Sequence, residues 1–321
     1  MWYLRIIRLA DQVTRAIPKL SAEDAEGVVY RLSASATRQL DRLAIRGSKA
    51  LRGDRIGGRD SNRRRPAAEF REHRADVPGD DVRFVDWRAS ARHEHIFVRQ
   101  GEMQKDVIVY LLLDTSASML WGKRPKREAQ LAIAFAMGYA ALTNGDRLYV
   151  YQYGERNNPE FGPASGKGQL SSFARYLNNL HYGGSSDLET AMTTLAQRVS
   201  RGGVVFILSD LLEKGDLGEF LSSVPAPKWW VNVVHLLHPA ELDPEIRGAY
   251  ELEDSETGRL INYDLTNEAI RRYKERVSTW REQLEMAAVA EHAFYLLVNT
   301  DWELDSEILP YLRERQVLVP Q

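Results

Sequence analysis

The pattern of apolar and polar residues along this chain changes near residue 106. Beyond that point, short segments that are largely apolar alternate with longer ones whose apolar residues recur every three or four positions. The short segments predict strands at residues 107–113, 147–153, 203–208, 231–237 and 293–298. The longer ones predict helices at residues 126–143, 169–180, 187–200 and 270–287. Strands that alternate with helices predict an α/β fold with a doubly wound, mostly parallel sheet.

The N-terminal third has a different pattern. Residues 2–9 predict a short helix that packs on the domain or lies on a membrane surface. Residues 21–50 predict a helix that begins at Ser21 and ends near Gly47; an Arg- and Gly-rich loop follows over 51–74, and strand segments follow over 82–100. We therefore expect a smaller helical and strand region over 1–103, the α/β domain over 104–303, and a C-terminal tail or helix over 304–321.

Composition narrows the possible functions. The chain has no cysteine, which excludes disulfides, thiolate metal sites and cysteine nucleophiles. The longest apolar segments are far shorter than the ~20 residues that cross a bilayer, so we expect no transmembrane segment and a cytoplasmic protein. The net charge of −2 divides into +6 over residues 1–103 and −8 over the rest. We expect the basic region to dock on the acidic one, with an anionic partner as the alternative.

Polar residues follow two of the predicted strands directly. Asp114, Ser116 and Ser118 come after the first strand, and Asp210 follows the strand over 203–208. In parallel sheets, ligands bind beyond the carboxyl ends of the strands, and hydroxyl and carboxylate oxygens suit a hard divalent cation. We expect the serines to lie in a solvent-facing loop. The alternative is that these residues only cap helices or form turns.

The spacing Asp-x-Ser-x-Ser resembles the metal-ion-dependent adhesion site of the von Willebrand factor A superfamily. The resemblance implies that Asp114, Ser116 and Ser118 form the first metal loop and that Asp210 belongs to the third. The family's second-loop threonine is replaced here by Ser186, with Ser185 as the alternative. The implied cofactor is Mg²⁺, or else Mn²⁺ or Ca²⁺, with one coordination position open to an Asp or Glu of a partner.

A second resemblance lies just before the first metal loop. Residues 69–74 and 79–92 are similar to the signature of the MoxR-associated family called domain of unknown function fifty-eight. That family implies a partner, a MoxR-type AAA+ ATPase, for which this chain would act as an adaptor in the assembly or remodelling of a client protein.

Two other functions stay open at this stage. A metal beside serines could support hydrolysis or phosphoryl transfer, but Asp114 and Asp210 would be engaged by the metal, which leaves no general base. We therefore expect no enzyme activity and assign no catalytic residue. Residues 46–74 hold ten Lys or Arg, yet few aromatic residues interleave with them, so nucleic-acid binding is the weaker alternative.

Overall fold

The fold was examined in a computed structural model of the chain. The structure describes residues 7–9, 32–57, 70–75, 90, 97–101, 107–122, 124–154, 160–198, 202–212, 215–223, 229–254 and 260–321. Contacts divide the chain into two compact units: residues 1–49 together with 107–321, and residues 50–106. The predicted boundaries at 103 and 303 differ from this division and stay predictions.

Strands and helices are numbered here in chain order. The strands are β1 (Ile7–Leu9), β2 (Leu43–Ile45), β3 (Phe70–Ala75), β4 (Phe97–Gly101), β5 (Ile108–Asp114), β6 (Arg147–Tyr153), β7 (Phe161–Ser165), β8 (Gly203–Ser209), β9 (Trp229–Leu237), β10 (Gly248–Asp254), β11 (Leu260–Leu265), β12 (Phe294–Asn299) and β13 (Leu318–Pro320). The helices are α1 (Ala34–Leu40), α2 (Arg46–Gly57), α3 (Lys126–Thr143), α4 (Leu170–Asn178), α5 (Leu188–Arg198), α6 (Leu217–Ser222), α7 (Pro239–Leu242), α8 (Asn267–Ala290) and α9 (Leu309–Glu314).

A six-stranded sheet forms the centre of the larger unit, in the order β12-β9-β8-β5-β6-β7. Neighbouring strands from β12 to β6 are parallel, and only β7 at the edge runs antiparallel. The central strand β8 is buried along its whole length, because helices cover both faces of a doubly wound sheet. The predicted α/β class and mostly parallel sheet are confirmed.

Helices pack on both faces of this sheet. On one face, α3 contacts β5, β6, β8 and β9 and carries α4 beside it. On the other face, Leu188, Met192 and Leu195 of α5 and Phe220 of α6 pack with side chains of α8 against the sheet. No helix in the described part of the chain is both long and apolar enough to span a bilayer.

The N-terminal segment departs from its predicted structure. The single helix predicted over 21–50 is wrong: Ser33 caps the short helix α1, and the chain then forms β2 and α2. Strand β2 pairs antiparallel with β13, a partner about 270 residues away that no local pattern reveals. Residues 21–31 lie outside the described residues.

Two further local predictions need correction. Residues 7–9 form a strand that pairs with β10, so the helix expected over residues 2–9 is wrong at these three residues; residues 2–6 lie outside the described residues. The loop predicted over 51–74 is wrong at both ends, since α2 runs to Gly57 and β3 begins at Phe70. In the smaller unit, β3 and β4 form an antiparallel pair.

Candidate metal centre

The candidate site lies at the carboxyl ends of β5 and β8, which are neighbours in the sheet. The chain leaves β5 for β6 on one side and later returns to β8 on the other, so the order of strands reverses at this point. Such a switch point leaves a crevice where α/β sheets bind ligands. Asp114 ends β5, and Asp210 follows the last residue of β8.

Four side chains form what we call the hydroxyl cluster: Asp114, Ser116, Ser118 and Ser209. Oδ1 of Asp114 accepts from the backbone N–H of Ser116 at 2.9 Å, and Oδ2 accepts from the Ser209 hydroxyl at 2.6 Å. The hydroxyls of Ser116 and Ser118 are 2.9 Å apart. The structure thus brings the first predicted metal loop together as a compact group of oxygen atoms.

This cluster is less accessible than the sequence suggested. Ser116 is 1% exposed and Ser118 is 5% exposed, so the expectation of a solvent-facing loop is wrong. Two backbone hydrogen bonds explain the burial, because Gly183 donates to Thr115 at 2.8 Å and Ala117 donates to Gly184 at 2.9 Å. The loop over residues 180–187 therefore lies directly against the first metal loop.

The structure places the two candidates for the second loop differently. Ser186 is half-buried and Ser185 is exposed, which favours Ser186 as the residue that faces the cluster. Within the described residues, Ser186 makes no hydrogen bond to the hydroxyl cluster. The next residue, Asp187, accepts from the backbone N–H of Thr190 at 2.9 Å and caps the start of α5.

Gly154 keeps the first metal loop close to β6. A Cβ at this position would come within 2.5 Å of Oγ1 of Thr115, so only glycine leaves room for that side chain. The Thr115 hydroxyl and backbone N–H both donate to the carbonyl of Tyr153, at 3.2 and 3.0 Å. These contacts fix the direction in which the chain leaves β5.

Asp210 belongs to a second group, the ammonium cluster, formed with Lys126 and Glu241. The Lys126 ammonium is fully buried and donates to Oδ2 of Asp210 at 2.6 Å and to Oε1 of Glu241 at 2.7 Å. The Ser118 hydroxyl also hydrogen-bonds Asp210, which links the two clusters. Asp210 is thus the member of the ammonium cluster that contacts the hydroxyl cluster.

The two aspartates differ in pKa for physical reasons. Burial raises the pKa of Asp114 to about 7, and the nearby charge of Asp210 adds to this rise, although hydrogen bonds from Ser209 and Ser116 oppose it. Burial also disfavours the charged form of Asp210, but the Lys126 ammonium more than offsets it and holds the pKa of Asp210 below its usual range. Burial raises the pKa of Glu241 as well.

The donor set was compared with the requirements of a metal ion. Within the described residues, no three His, Asp or Glu side chains converge on one point, so a metal here would depend on hydroxyl oxygens. The hydroxyls of Ser116 and Ser118 lie beside the carboxylates of Asp114 and Asp210, and oxygen ligands of this kind suit Mg²⁺, Mn²⁺ or Ca²⁺. The two clusters together hold three buried carboxylates and one buried ammonium, an excess of negative charge that a divalent cation would neutralise. The residues present therefore fit a hard divalent ion.

Sequence reasoning missed Lys126, Glu241 and Ser209. Glu241 follows β9 by four residues, so the rule that found Asp114 and Asp210 after their strands would have found it too. Lys126 offered a weaker signal, because a lysine in the first turn of a helix is ordinarily exposed. The structure does not test the second resemblance, over residues 69–74 and 79–92, because most of residues 76–96 lies outside the described residues.

Comparison with known sequences identifies the family. The family described as "Protein of unknown function DUF58" matches residues 72–283, more than half of the chain. "Uncharacterized protein Rv1480" of Mycobacterium tuberculosis and "Uncharacterized protein Mb1516" of Mycobacterium bovis are each 27% identical to it over 205 residues. Each match covers 62% of this chain and 64% of the relative, so it spans less than two thirds of those proteins.

Solved structures show weaker likeness. An aerotolerance-related membrane protein from Bacteroides fragilis is 18% identical with a TM-score of 0.41, and BatB from Bacteroides thetaiotaomicron is 14% identical with a TM-score of 0.40. Both matches cover 65% of this chain and 98% of the other. A von Willebrand factor type A protein from Catenulispora acidiphila is 12% identical with a TM-score of 0.38, over 66% of this chain and 42% of the other. At these scores the α/β assignment rests on the sheet itself, while the sequence match over residues 72–283 shows that the chain belongs to the DUF58 family of proteins of unknown function.

Proposed function

We propose that this protein is a metal-dependent protein-interaction module that binds an acidic side chain of a partner. The hydroxyls of Ser116, Ser118 and Ser186, with the carboxylates of Asp114 and Asp210, would hold Mg²⁺, or else Mn²⁺ or Ca²⁺. When bound, the ion would supply a positive charge that attracts a carboxylate from outside the chain. The observation that carries the proposal is the meeting of two buried carboxylates and two serine hydroxyls at the β5 and β8 crevice, where the Asp114 carboxylate accepts hydrogen bonds from neutral donors.

The proposed partner is a MoxR-type AAA+ ATPase, or a client protein that such an ATPase assembles or remodels. Family membership supports this choice through the resemblance described above, and the chain would act as the adaptor. Leu120 would give the partner a second contact: it is 41% exposed and follows the buried residues Ser118 and Met119 at the end of the first metal loop. A partner that places an apolar residue beside its Asp or Glu would fit this surface.

A binding role agrees with the geometry better than a catalytic one. Both carboxylate oxygens of Asp114 already accept hydrogen bonds, from the Ser116 backbone and the Ser209 hydroxyl. A general base needs an oxygen within reach of the substrate proton, and Asp114 is 1% exposed. The lack of enzyme activity and the cytoplasmic location stay predictions, and hydrolysis and nucleic-acid binding through residues 46–74 stay the alternatives.

The experiment measures binding of a MoxR-type ATPase by surface plasmon resonance, with Mg²⁺ and with excess chelator. We expect binding to be lost with chelator and weakened in Ser116→Ala and Ser118→Ala, because each change removes a proposed metal ligand. Ser171→Ala, on an exposed position of α4, is the matched control. Leu120→Ala should leave the metal affinity, measured by calorimetry, unchanged and should weaken only the binding of the partner. Binding that is equal with and without chelator would contradict the proposal.

A further inference from the structure

Lys126 is an unusual residue to find without any exposure. It begins α3, where a lysine would ordinarily extend into solvent, yet its side chain is 0% exposed. Burial of an ammonium is unfavourable unless charged partners compensate it, and Lys126 has two, Asp210 and Glu241. One of those partners is a proposed metal ligand. The contact therefore bears directly on how the site would hold an ion.

The second partner fixes the ammonium in place. Oε1 of Glu241 accepts from Lys126, and Oε2 accepts from the backbone N–H of His238 at 2.6 Å. The ring of His238 in turn accepts from the backbone N–H of Ala240 at 3.1 Å, which closes the first turn of α7. Glu241 is thus anchored to the backbone, and Lys126 has little freedom to move away from Asp210.

The ammonium also decides which oxygen of Asp210 remains available. Oδ2 accepts from Lys126 at 2.6 Å, whereas Oδ1 accepts a longer bond of 3.3 Å from the backbone N–H of Leu212. Charge-assisted hydrogen bonds of the first kind are about twice as strong as neutral ones. Oδ2 is therefore less available than Oδ1 to bind any other group.

We propose that Lys126 is a positioning residue of the metal site, which occupies Oδ2 of Asp210 and so prevents that oxygen from binding the ion directly. This inference rests on the proposed function, because it requires a metal at the hydroxyl cluster. An ion that is neutralised by carboxylates of its own protein attracts a partner's carboxylate weakly. By withholding Oδ2, Lys126 weakens metal binding and leaves the ion more electrophilic toward the partner.

The variant that tests this idea must separate position from net charge. Lys126→Met removes the ammonium but also makes the site more negative by one charge. The double variant Lys126→Met with Glu241→Gln removes one positive and one negative charge, so the formal charge of the two clusters is that of the wild type. In both variants Oδ2 of Asp210 loses its partner. The single variant leaves two buried carboxylates without a cation, whereas the double variant leaves only that of Asp210. The double variant therefore serves as the test if the single variant does not fold.

The measurements use the full chain and Mn²⁺ alone. We expect the double variant to bind Mn²⁺ about tenfold more tightly than the wild type in calorimetry, the size of effect that changes around a metal ligand produce. The water-proton relaxation enhancement of the bound Mn²⁺ should fall, because Asp210 would replace a coordinated water. Lys274→Met, which removes an exposed lysine paired with Asp243, should change neither quantity.

The outcomes are distinguishable. Wild-type and double-variant proteins that bind Mn²⁺ with equal affinity and equal relaxation enhancement would overturn the role of Lys126 and leave the proposed function intact. If the single variant binds Mn²⁺ more tightly than the wild type but the double variant binds it with wild-type affinity, Lys126 acts through net charge alone. That result would also overturn the positioning role of Lys126. A wild-type protein that binds no Mn²⁺ would overturn both proposals.

Discussion

The hydroxyl cluster and the ammonium cluster are equally buried, but their charges are balanced in different ways. In the ammonium cluster, Lys126 sits between Asp210 and Glu241 and supplies a cation from within the chain. In the hydroxyl cluster, Asp114 receives only neutral donors. The pKa values follow this difference, since that of Asp210 is lowered and that of Asp114 is raised to about 7. Burial alone therefore does not decide whether a carboxylate is charged: the Lys126 ammonium outweighs burial at Asp210, whereas burial outweighs the ammonium at Glu241, whose pKa is raised.

The largest effect should come from the ammonium cluster. We expect Lys126→Met to lower the free energy of unfolding, measured in urea with chelator present, by an amount near the upper end of about 3–5 kcal/mol, because two buried carboxylates lose their cation. Lys274→Met is the control, since its partner Asp243 is exposed and surface pairs contribute about 0–1 kcal/mol. Equal losses in the two variants would show that the buried pair is not special.

The next effect should appear as a dependence on pH in the hydroxyl cluster. The pKa of Asp114 is raised in the folded protein from 3.8 to about 7, so its contribution to stability is complete below pH 3.8 and is lost as pH rises through 7. Without metal, the wild type should lose about 4 kcal/mol relative to Asp114→Asn between pH 4 and pH 8, at about 1.36 kcal/mol for each pKa unit.

His235 makes this comparison with Asp114→Asn necessary. Burial lowers the pKa of His235 from 6.5 to about 3, so its contribution is complete above pH 6.5 and is lost as pH falls toward 3. The two residues thus act in opposite directions, and the wild-type curve alone would hide both. The difference between the wild type and Asp114→Asn isolates Asp114, and a difference that does not vary with pH would refute the assignment.

A smaller effect should follow from the loss of one hydroxyl. Ser209→Ala removes the donor to Oδ2 of Asp114 and the acceptor for the backbone N–H of Leu211. We expect a loss of about 1–3 kcal/mol in thermal or urea unfolding without metal, because a buried acceptor and a buried donor lose their partners. Added Mg²⁺ should recover more stability in this variant than in the wild type. Recovery that is no larger than in the wild type would argue against a metal beside Asp114.

The smallest effect separates capping from metal binding in the loop over residues 180–187. Asp187→Ala should lower stability by about 1 kcal/mol through the lost cap of α5 and leave Mn²⁺ affinity unchanged. Ser186→Ala should lower the Mn²⁺ affinity and leave stability unchanged. Calorimetry measures the metal affinity, and urea unfolding measures the stability. If Ser185→Ala lowers the affinity and Ser186→Ala does not, the second-loop ligand is Ser185.

The sequence predicted the parallel strands well because a strand covered on both faces is apolar nearly throughout, as β8 is. It did not predict the hairpin of β10 and β11, whose polar residues give no continuous apolar segment. Strand β13 was not predicted because it is only three residues long and pairs with a distant segment. Asp114 and Asp210 were predicted as neighbours because they end adjacent strands. Lys126 was missed because its burial depends on Glu241, 115 residues further along the chain, and no local pattern contains that distance.

The pairing of β2 with β13 also has a consequence for how the protein is made. The hydrogen bond between Arg46 and Gln316 joins residues 270 positions apart. At about 5–20 residues per second, a ribosome needs roughly 15–55 s to cover that distance. During this time α1 and β2 have been synthesised but wait for their C-terminal partner. The pairing of β2 with β13 can therefore form only after translation has reached residue 320.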